Sequence, residues 1–199
     1  IFIIPDFLKT LTSIDFKSGM GEMLHFYLVS KRKDFEFYKK NYEKCFEDNN
    51  ILLDIIKRNL EIKKNFVERD EFDRGERLLL NYGHSFGHAI ESLTNYMIPH
   101  GIAVSYGMDM ANFISVKLGF LNESVRMELH AQLEKIWEGV SLDNYVMDGF
   151  EKILARDKKN IGNTYQLILT KGIGKMFKHA IVPNKQFSNW IKEYFNNKN

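Results

Sequence analysis

A single cysteine, Cys45, stands among the 199 residues. One thiol excludes an internal disulfide and any cysteine-rich metal centre, and it fits a reducing cytoplasm. Proline is almost as scarce: Pro5, Pro99 and Pro183 leave long stretches free to run as unbroken helix. Neither sign of charge dominates. The 28 Lys and Arg against 26 Asp and Glu give a formal net charge of +2, so nothing electrostatic calls for nucleic acid or a membrane surface. No apolar run approaches the ~20 residues a bilayer span needs, and no signal-peptide pattern, internal repeat or low-complexity tract occurs. What remains is a globular composition, 44% hydrophobic and 27% charged, in a chain long enough to bury a core of its own. It opens without methionine on Ile1-Phe2-Ile3-Ile4-Pro5-Asp6. That apolar β-type run, ended by Pro-Asp, reads as the last strand of something upstream, so the chain is expected to be a piece of a longer protein.

Apolar spacing predicts a mainly α domain. A short helical turn is expected at Phe7–Leu11, and helices at Ser18–Ser30, Lys33–Cys45 and Ile51–Arg69. Further helices are expected at Arg77–Leu93, at His100–Leu118 between Pro99 and Gly119, at Asn122–Trp137 with Asn122 as N-cap, at Tyr145–Arg156 and at Asn184–Phe195. The period changes only around Lys171-Gly172-Ile173-Gly174, where Tyr165–Leu169 and Met176–Ile181 suggest a small β-hairpin.

The densest chemistry lies in Arg77–Gly101, RLLLNYGHSFGHAIESLTNYMIPHG. Read as one helix, Arg77, Asn81, His84, His88 and Glu91 fall on a single face, with Gly83 and Gly87 beside it. A guanidinium, an amide, two imidazoles and a carboxylate make a polar wall, not a core face. His84 and His88 stand one turn apart, a common spacing for two metal ligands. Ser85 occupies the position where the zinc-peptidase motif has its catalytic Glu, which argues against a peptidase. His100, at a helix start, is biased toward the neutral form a ligand needs. Glu22 on the Ser18–Ser30 helix would make a mixed site. Any one of these histidines alone reads as well as a satisfied core residue; three together with Asn81 and Arg77 weaken that reading. Lys63, Lys64 and Asp157-Lys158-Lys159-Asn160 read from composition as solvated faces and a helix end.

Asn81-Tyr-Gly-His-Ser-Phe-Gly-His-Ala-Ile-Glu91, followed by His100-Gly-x-Ala-Val-x-x-Gly-Met108, resembles the 3-dehydroquinate synthase family and its sugar-phosphate cyclase relatives. Pro5–Leu11, Ser18–Glu22, Lys63, Val67, Asp70-Glu71, Arg77, Asp157–Asn160 and Gly172–Gly174 keep the family's order and approximate spacing. The resemblance implies a multi-helix C-terminal domain that follows a nucleotide-binding domain absent from these 199 residues, so that this chain alone is expected to be inactive. It implies NAD and a divalent metal, zinc or cobalt, as cofactors, and a homodimer as one assembly. Carried over residue by residue, the metal ligands are Glu22, His84 and His100. Lys63 and Arg77 would bind a substrate carboxylate, Asn81 a hydroxyl, and His88 with Lys158 or Lys159 the phosphate. Phe7, Thr10 and Leu11 would lie near the dinucleotide. The implied reaction converts a seven-carbon keto-acid sugar phosphate into a carbocycle. A ring hydroxyl is oxidised transiently by NAD, phosphate leaves, the ketone is reduced back, and the opened ring closes by an aldol step.

Two positions depart from the family pattern. His25 stands where Lys usually follows the metal Glu by three residues, and Ile102 replaces Glu in His-Gly-Glu. Both remove charge near the site and leave the substrate open: dehydroquinate formation, another sugar phosphate in a diverged paralogue, or the chemistry of a related metal-dependent alcohol dehydrogenase.

Overall fold

The computed structural model describes residues 2–142 and 144–196. Eight α-helices are seen among them: α1 (Ser13–Ser30), α2 (Arg32–Asn41), α3 (Asn49–Arg69), α4 (His84–Leu93), α5 (His100–Lys117), α6 (Glu123–Trp137), α7 (Asn144–Leu154) and α8 (Lys185–Asn196). Three 3-10 stretches, Pro5–Thr10, Lys44–Phe46 and Glu76–Asn81, interrupt them. Strands β1 (Tyr165–Thr170) and β2 (Met176–Ile181) pair antiparallel, Tyr165 opposite Ile181 and Thr170 opposite Met176. The expected mainly helical domain with a late hairpin is the observed one.

Helix starts follow side-chain capping. Thr12 accepts from the Asp15 amide and begins α1 five residues before the apolar spacing signals it, Asp48 accepts from Asn50 and Ile51 at α3, and Asn122 accepts from Ser124 at α6. Pro99 precedes α5, whose residues from Gly101 to Ser115 are all buried. A helix apolar on every side belongs in the middle of a core. Accordingly α5 is packed by α1, α4, α6, α8 and β1.

Glycine sets how closely the first shell of helices approaches α5. A Cβ on Gly21 would lie 2.4 Å from the Gly101 carbonyl oxygen, and one on Gly107 would lie 2.0 Å from the Gly83 oxygen. Backbone therefore meets backbone where α1 and α4 cross α5.

One expectation fails. The single helix Arg77–Leu93 is broken: Glu76–Asn81 is 3-10, and α4 starts only at His84. Gly83 adopts φ +80°, which a helix cannot contain, and a Cβ there would strike Val104 O and Met108 N, both at 2.8 Å. The break lets the chain press against α5 before α4 begins. Residues 2–4 join no strand among the described residues, and Phe2 is 95% exposed; a strand belonging to an upstream unit has no partner here to pair with. A strand without a partner has no ladder to hold it. Elsewhere the differences are small. The Lys33–Cys45 helix ends at Asn41 and resumes as a 3-10 turn, and Gly119 closes α5 at φ +75°. Lys171–Gly174 form the hairpin turn, where the Gly174 amide donates to the Leu28 carbonyl at the end of α1.

Candidate functional site

Three helices converge at one end of the core. Glu22 comes from α1, His84 and His88 from the first two turns of α4, and His100 is the first residue of α5. Glu22 Oε2 lies 3.7 Å from His84 Nε2 and 3.6 Å from His100 Nε2. The three donor atoms fall within 4.8 Å of one another. Glu22 Oε2 is buried and has no hydrogen-bond partner, since both imidazoles stop just beyond bonding distance. A buried carboxylate oxygen left unsatisfied between two ring nitrogens is costly unless something fills the gap. Two imidazoles and one carboxylate clustered within 4.8 Å are the donor set of a catalytic zinc-type ion, so these residues fit a divalent metal.

Both imidazoles are oriented from behind. His84 Nδ1 lies 3.2 Å from the Tyr82 carbonyl. A carbonyl only accepts, so the proton sits on Nδ1 and the Nε2 lone pair faces Glu22. His100 Nδ1 lies 3.1 Å from each oxygen of Glu91. Burial works to raise the Glu22 carboxyl pKa, but the facing His100, with His25 and His84, overcomes it and holds the value at about 2. His100 is pushed up to about 10 by Glu22 and Glu91. Burial lowers His84, and burial with nearby Lys159 lowers His88.

The other expected residues divide. His88 stacks against His100 at 5.8 Å between ring centres and stands 5.6 Å from His84. Lys159 Nζ donates to Asn81 Oδ1 at 3.3 Å and lies 3.6 Å from Asp157 Oδ2, so the 157–160 turn is tied to the end of the 3-10 stretch. Lys158 beside it is exposed. Lys63 on α3 places its ammonium 5.6 Å over the ring of Phe26, one turn along α1 from Glu22. Arg77 no longer shares a helical face with His84, because the break at Gly83 intervenes. Its guanidinium donates to the Glu71 carbonyl, and Asp70 accepts from the Arg77 amide. Phe7, Thr10 and Leu11 lie on or just after the exposed first 3-10 turn, which packs on α3. Phe7 is 76% exposed, and Thr10 bonds only to the Phe7 carbonyl among the described residues.

The two departures both point inward. Ile102 is fully buried core. His25 is fully buried too, edge-on to His84 at 4.9 Å, and neither ring nitrogen has a hydrogen-bond partner. Burial, then His84, pushes His25 down to about 3, offset in part by Glu22 and weakly by the Leu80 carbonyl, so it is neutral at pH 7. Removing an orphaned buried polar group is close to neutral or stabilising. His25→Phe should therefore leave the denaturant midpoint unchanged, or raise stability by about 1 kcal/mol. A loss beyond about 1 kcal/mol would mean that a ring nitrogen is bonded after all.

Sequence reasoning missed two contributors: the Tyr82 carbonyl and the role of Glu91. A backbone carbonyl leaves no sequence signal. Glu91 carried one, its place on the polar stripe, but nothing in the spacing connects it to His100 across the loop.

Residues 19–160, more than half the chain, match the family described as 3-dehydroquinate synthase C-terminal. The 3-dehydroquinate synthase of Sulfurovum sp. (strain NBC37-1) is 37% identical over 175 residues, covering 87% of this chain and 49% of that protein. That of Clostridium acetobutylicum is 37% identical over 182 residues, covering 89% and 50%. The chain thus spans about half the length of the curated relatives it matches. Among solved structures, 2-epi-5-epi-valiolone synthase from Streptomyces hygroscopicus subsp. jinggangensis 5008, with NAD+ and Zn2+ bound, aligns with a TM-score of 0.77 at 20% identity over 97% of this chain and 53% of its own. 2-Deoxy-scyllo-inosose synthase, complexed with carbaglucose-6-phosphate, NAD+ and Co2+, aligns at 0.75 and 22% identity over 92% and 51%. At such identities these structures establish the shared fold. With the family match over residues 19–160, the chain belongs to the 3-dehydroquinate synthase family, in its C-terminal part.

Proposed function

We propose that this chain is the metal- and substrate-binding half of a longer cytoplasmic 3-dehydroquinate synthase, a lyase of the shikimate pathway for aromatic amino acids. The missing half would bind NAD, and the substrate would be a seven-carbon keto-acid sugar phosphate. The observation that carries this reading is the unsatisfied Glu22 oxygen between the Nε2 atoms of His84 and His100. Glu22, His84 and His100 would hold zinc or cobalt, which supplies polarisation of a substrate hydroxyl when bound. Asn81 and Lys159 form one hydrogen-bonded unit. In it Lys159 presents a cation, and Asn81 an amide, to a hydroxyl-bearing phosphate ester. His88, neutral at pH 7 because burial and Lys159 disfavour its charge, would hydrogen-bond near the phosphate without adding repulsion to Lys159. Lys158 is exposed at the same turn, where it adds positive potential. Lys63 and Arg77 would meet the carboxylate. For Arg77 this requires its guanidinium to exchange the Glu71 carbonyl for a bidentate partner, which is the stronger bond. Phe7, Thr10 and Leu11, exposed on the opening turn, would border the dinucleotide. Homodimerisation belongs to the same reading.

The test uses the full-length protein carrying this chain, supplied with NAD, Zn2+ or Co2+ and the keto-acid phosphate. Inorganic phosphate should be released without net NADH. Release only from a different sugar phosphate would move the assignment to a paralogous cyclase. Accumulation of NADH with a simple alcohol would make it a dehydrogenase.

A further inference from the structure

His100 is the most exposed of the three donors. It is the first residue of α5, and its side chain is 44% exposed. Something must hold it if Nε2 is to keep facing Glu22, and the carboxylate within hydrogen-bond distance of its Nδ1 is Glu91. Glu91 sits on α4 seven residues after His84, so the two share one face of the helix two turns apart. Its side chain is only 10% exposed, and both its oxygens stand 3.1 Å from His100 Nδ1. Ile102, next but one after His100, is apolar and fully buried, and it contributes no second carboxylate there.

We propose that Glu91 is the positioning residue of the metal site. It holds His100 with its proton on Nδ1 and its Nε2 lone pair aimed at the ion, while taking no coordination position itself. This rests on the metal reading of Glu22, His84 and His100 made above. The chemistry follows from what each group can do. A carboxylate accepts only, so the nitrogen it engages must carry the proton, and the ring's other nitrogen is the one left for a metal. The negative charge behind the ring also makes the imidazole a better electron donor. α4 therefore contributes twice: His84 directly, and His100 through Glu91. A rival arrangement is built into the same residues. His88, Glu91 and His100 also bring donor atoms within 4.8 Å of one another. There Glu91 would itself be a ligand, and His100 would have to coordinate through the nitrogen that Glu91 now holds.

The experiment compares Zn2+ affinity, by competition with a chelating dye, and the Co2+ absorption spectrum. It uses the full-length protein that carries this chain, as wild type, Glu91→Ala, Glu91→Gln and His84→Ala, each checked for folding by circular dichroism. Loss of an outer carboxylate typically weakens a site about 10- to 100-fold, so Glu91→Ala should lose that much. Glu91→Gln should recover most of it, because its amide oxygen still accepts from Nδ1. The Co2+ band positions of both variants should match wild type, because the donor set is unchanged, whereas His84→Ala should alter them. Three outcomes overturn the proposal. If wild type binds and Glu91→Ala binds equally well, Glu91 does not position His100, and the metal reading stands. If either Glu91 variant shifts the Co2+ bands as His84→Ala does, Glu91 is a ligand in the rival set. If folded wild type binds neither ion, the metal reading falls and the positioning role falls with it.

Discussion

Alanine at Gly101 is expected to cost about 3 kcal/mol of stability and to lower the melting temperature by about 6–12 °C. The added Cβ would stand 1.8 Å from the Ser18 carbonyl oxygen, 2.7 Å from its carbon and 3.1 Å from the Glu22 amide nitrogen. All three are backbone atoms of α1, so no side chain can swing aside. The reciprocal contact is equally tight: Gly21 faces the Gly101 oxygen, and the Ser18 hydroxyl bonds to the Gly101 amide at 3.0 Å. Replacing glycine inside a helix normally returns about 0.5–1 kcal/mol of backbone entropy. That gain is too small to offset an overlap that forces α1 and α5 apart by roughly 1.5–2 Å to reach ordinary contact distance. Those two helices carry Glu22 and His100. Separation on that scale is a large fraction of the 4.8 Å across which the donor atoms cluster, so metal affinity should fall in step with stability. Gly119→Ala is the control. Its φ of +75° strains an alanine by about 1–2 kcal/mol, but nothing lies within 4 Å of the new Cβ, and metal affinity should hold. A Gly101→Ala protein that melts and binds metal like wild type would show that α1 and α5 do not touch there.

That contact also shows where sequence stops being informative. Apolar spacing was enough for α3 and α6, whose buried positions recur at helical intervals, and the turn glycines with flanking apolar runs were enough for the hairpin. The helical period was misleading at Asn81–Gly83. Arg77, Asn81 and His84 keep helical spacing, yet the helix breaks between them. The cause is the proximity of Val104 and Met108, twenty and more residues away, which only a left-handed glycine accommodates. As a result Asn81 still reaches the site through Lys159, while Arg77 turns to the Glu71 carbonyl. The proposed metal donors were reached from the family resemblance, and the spacing-based pairing of His84 with His88 does not describe the geometry: His84 points its Nε2 at Glu22, on a different helix. His25 stands three after Glu22, where the family pattern has a lysine. It is fully buried edge-on against His84, where an imidazole costs least when neutral.

Zinc affinity should rise about tenfold for each pH unit between pH 6 and pH 8, roughly 100-fold in all, with one proton released per ion bound. The proton must come from His100. Without metal, Glu22 and Glu91 hold that imidazole at a pKa of about 10, so it is charged throughout the interval, and a ligand must be neutral. Glu22, at about 2, is already ionised and releases nothing. His84 lies below its ordinary value because of burial and binds as the neutral ring. The sign follows: below the His100 pKa every tenfold fall in proton concentration removes one competitor for Nε2, so affinity climbs with pH and levels off only near pH 10. The proton that leaves is the one on Nε2, because Nδ1 keeps its bond to Glu91. Competition titrations at pH 6, 7 and 8, with calorimetry in buffers of different ionisation heat, measure both quantities. Affinity independent of pH with no proton released would mean that His100 is neutral before the ion arrives, and that the two carboxylates do not hold a proton on it. The same pair of carboxylates therefore acts in opposite directions. Glu91 orients His100 for the metal, and together with Glu22 it makes the metal compete with a proton, so the site is expected to fill most readily on the alkaline side of neutrality.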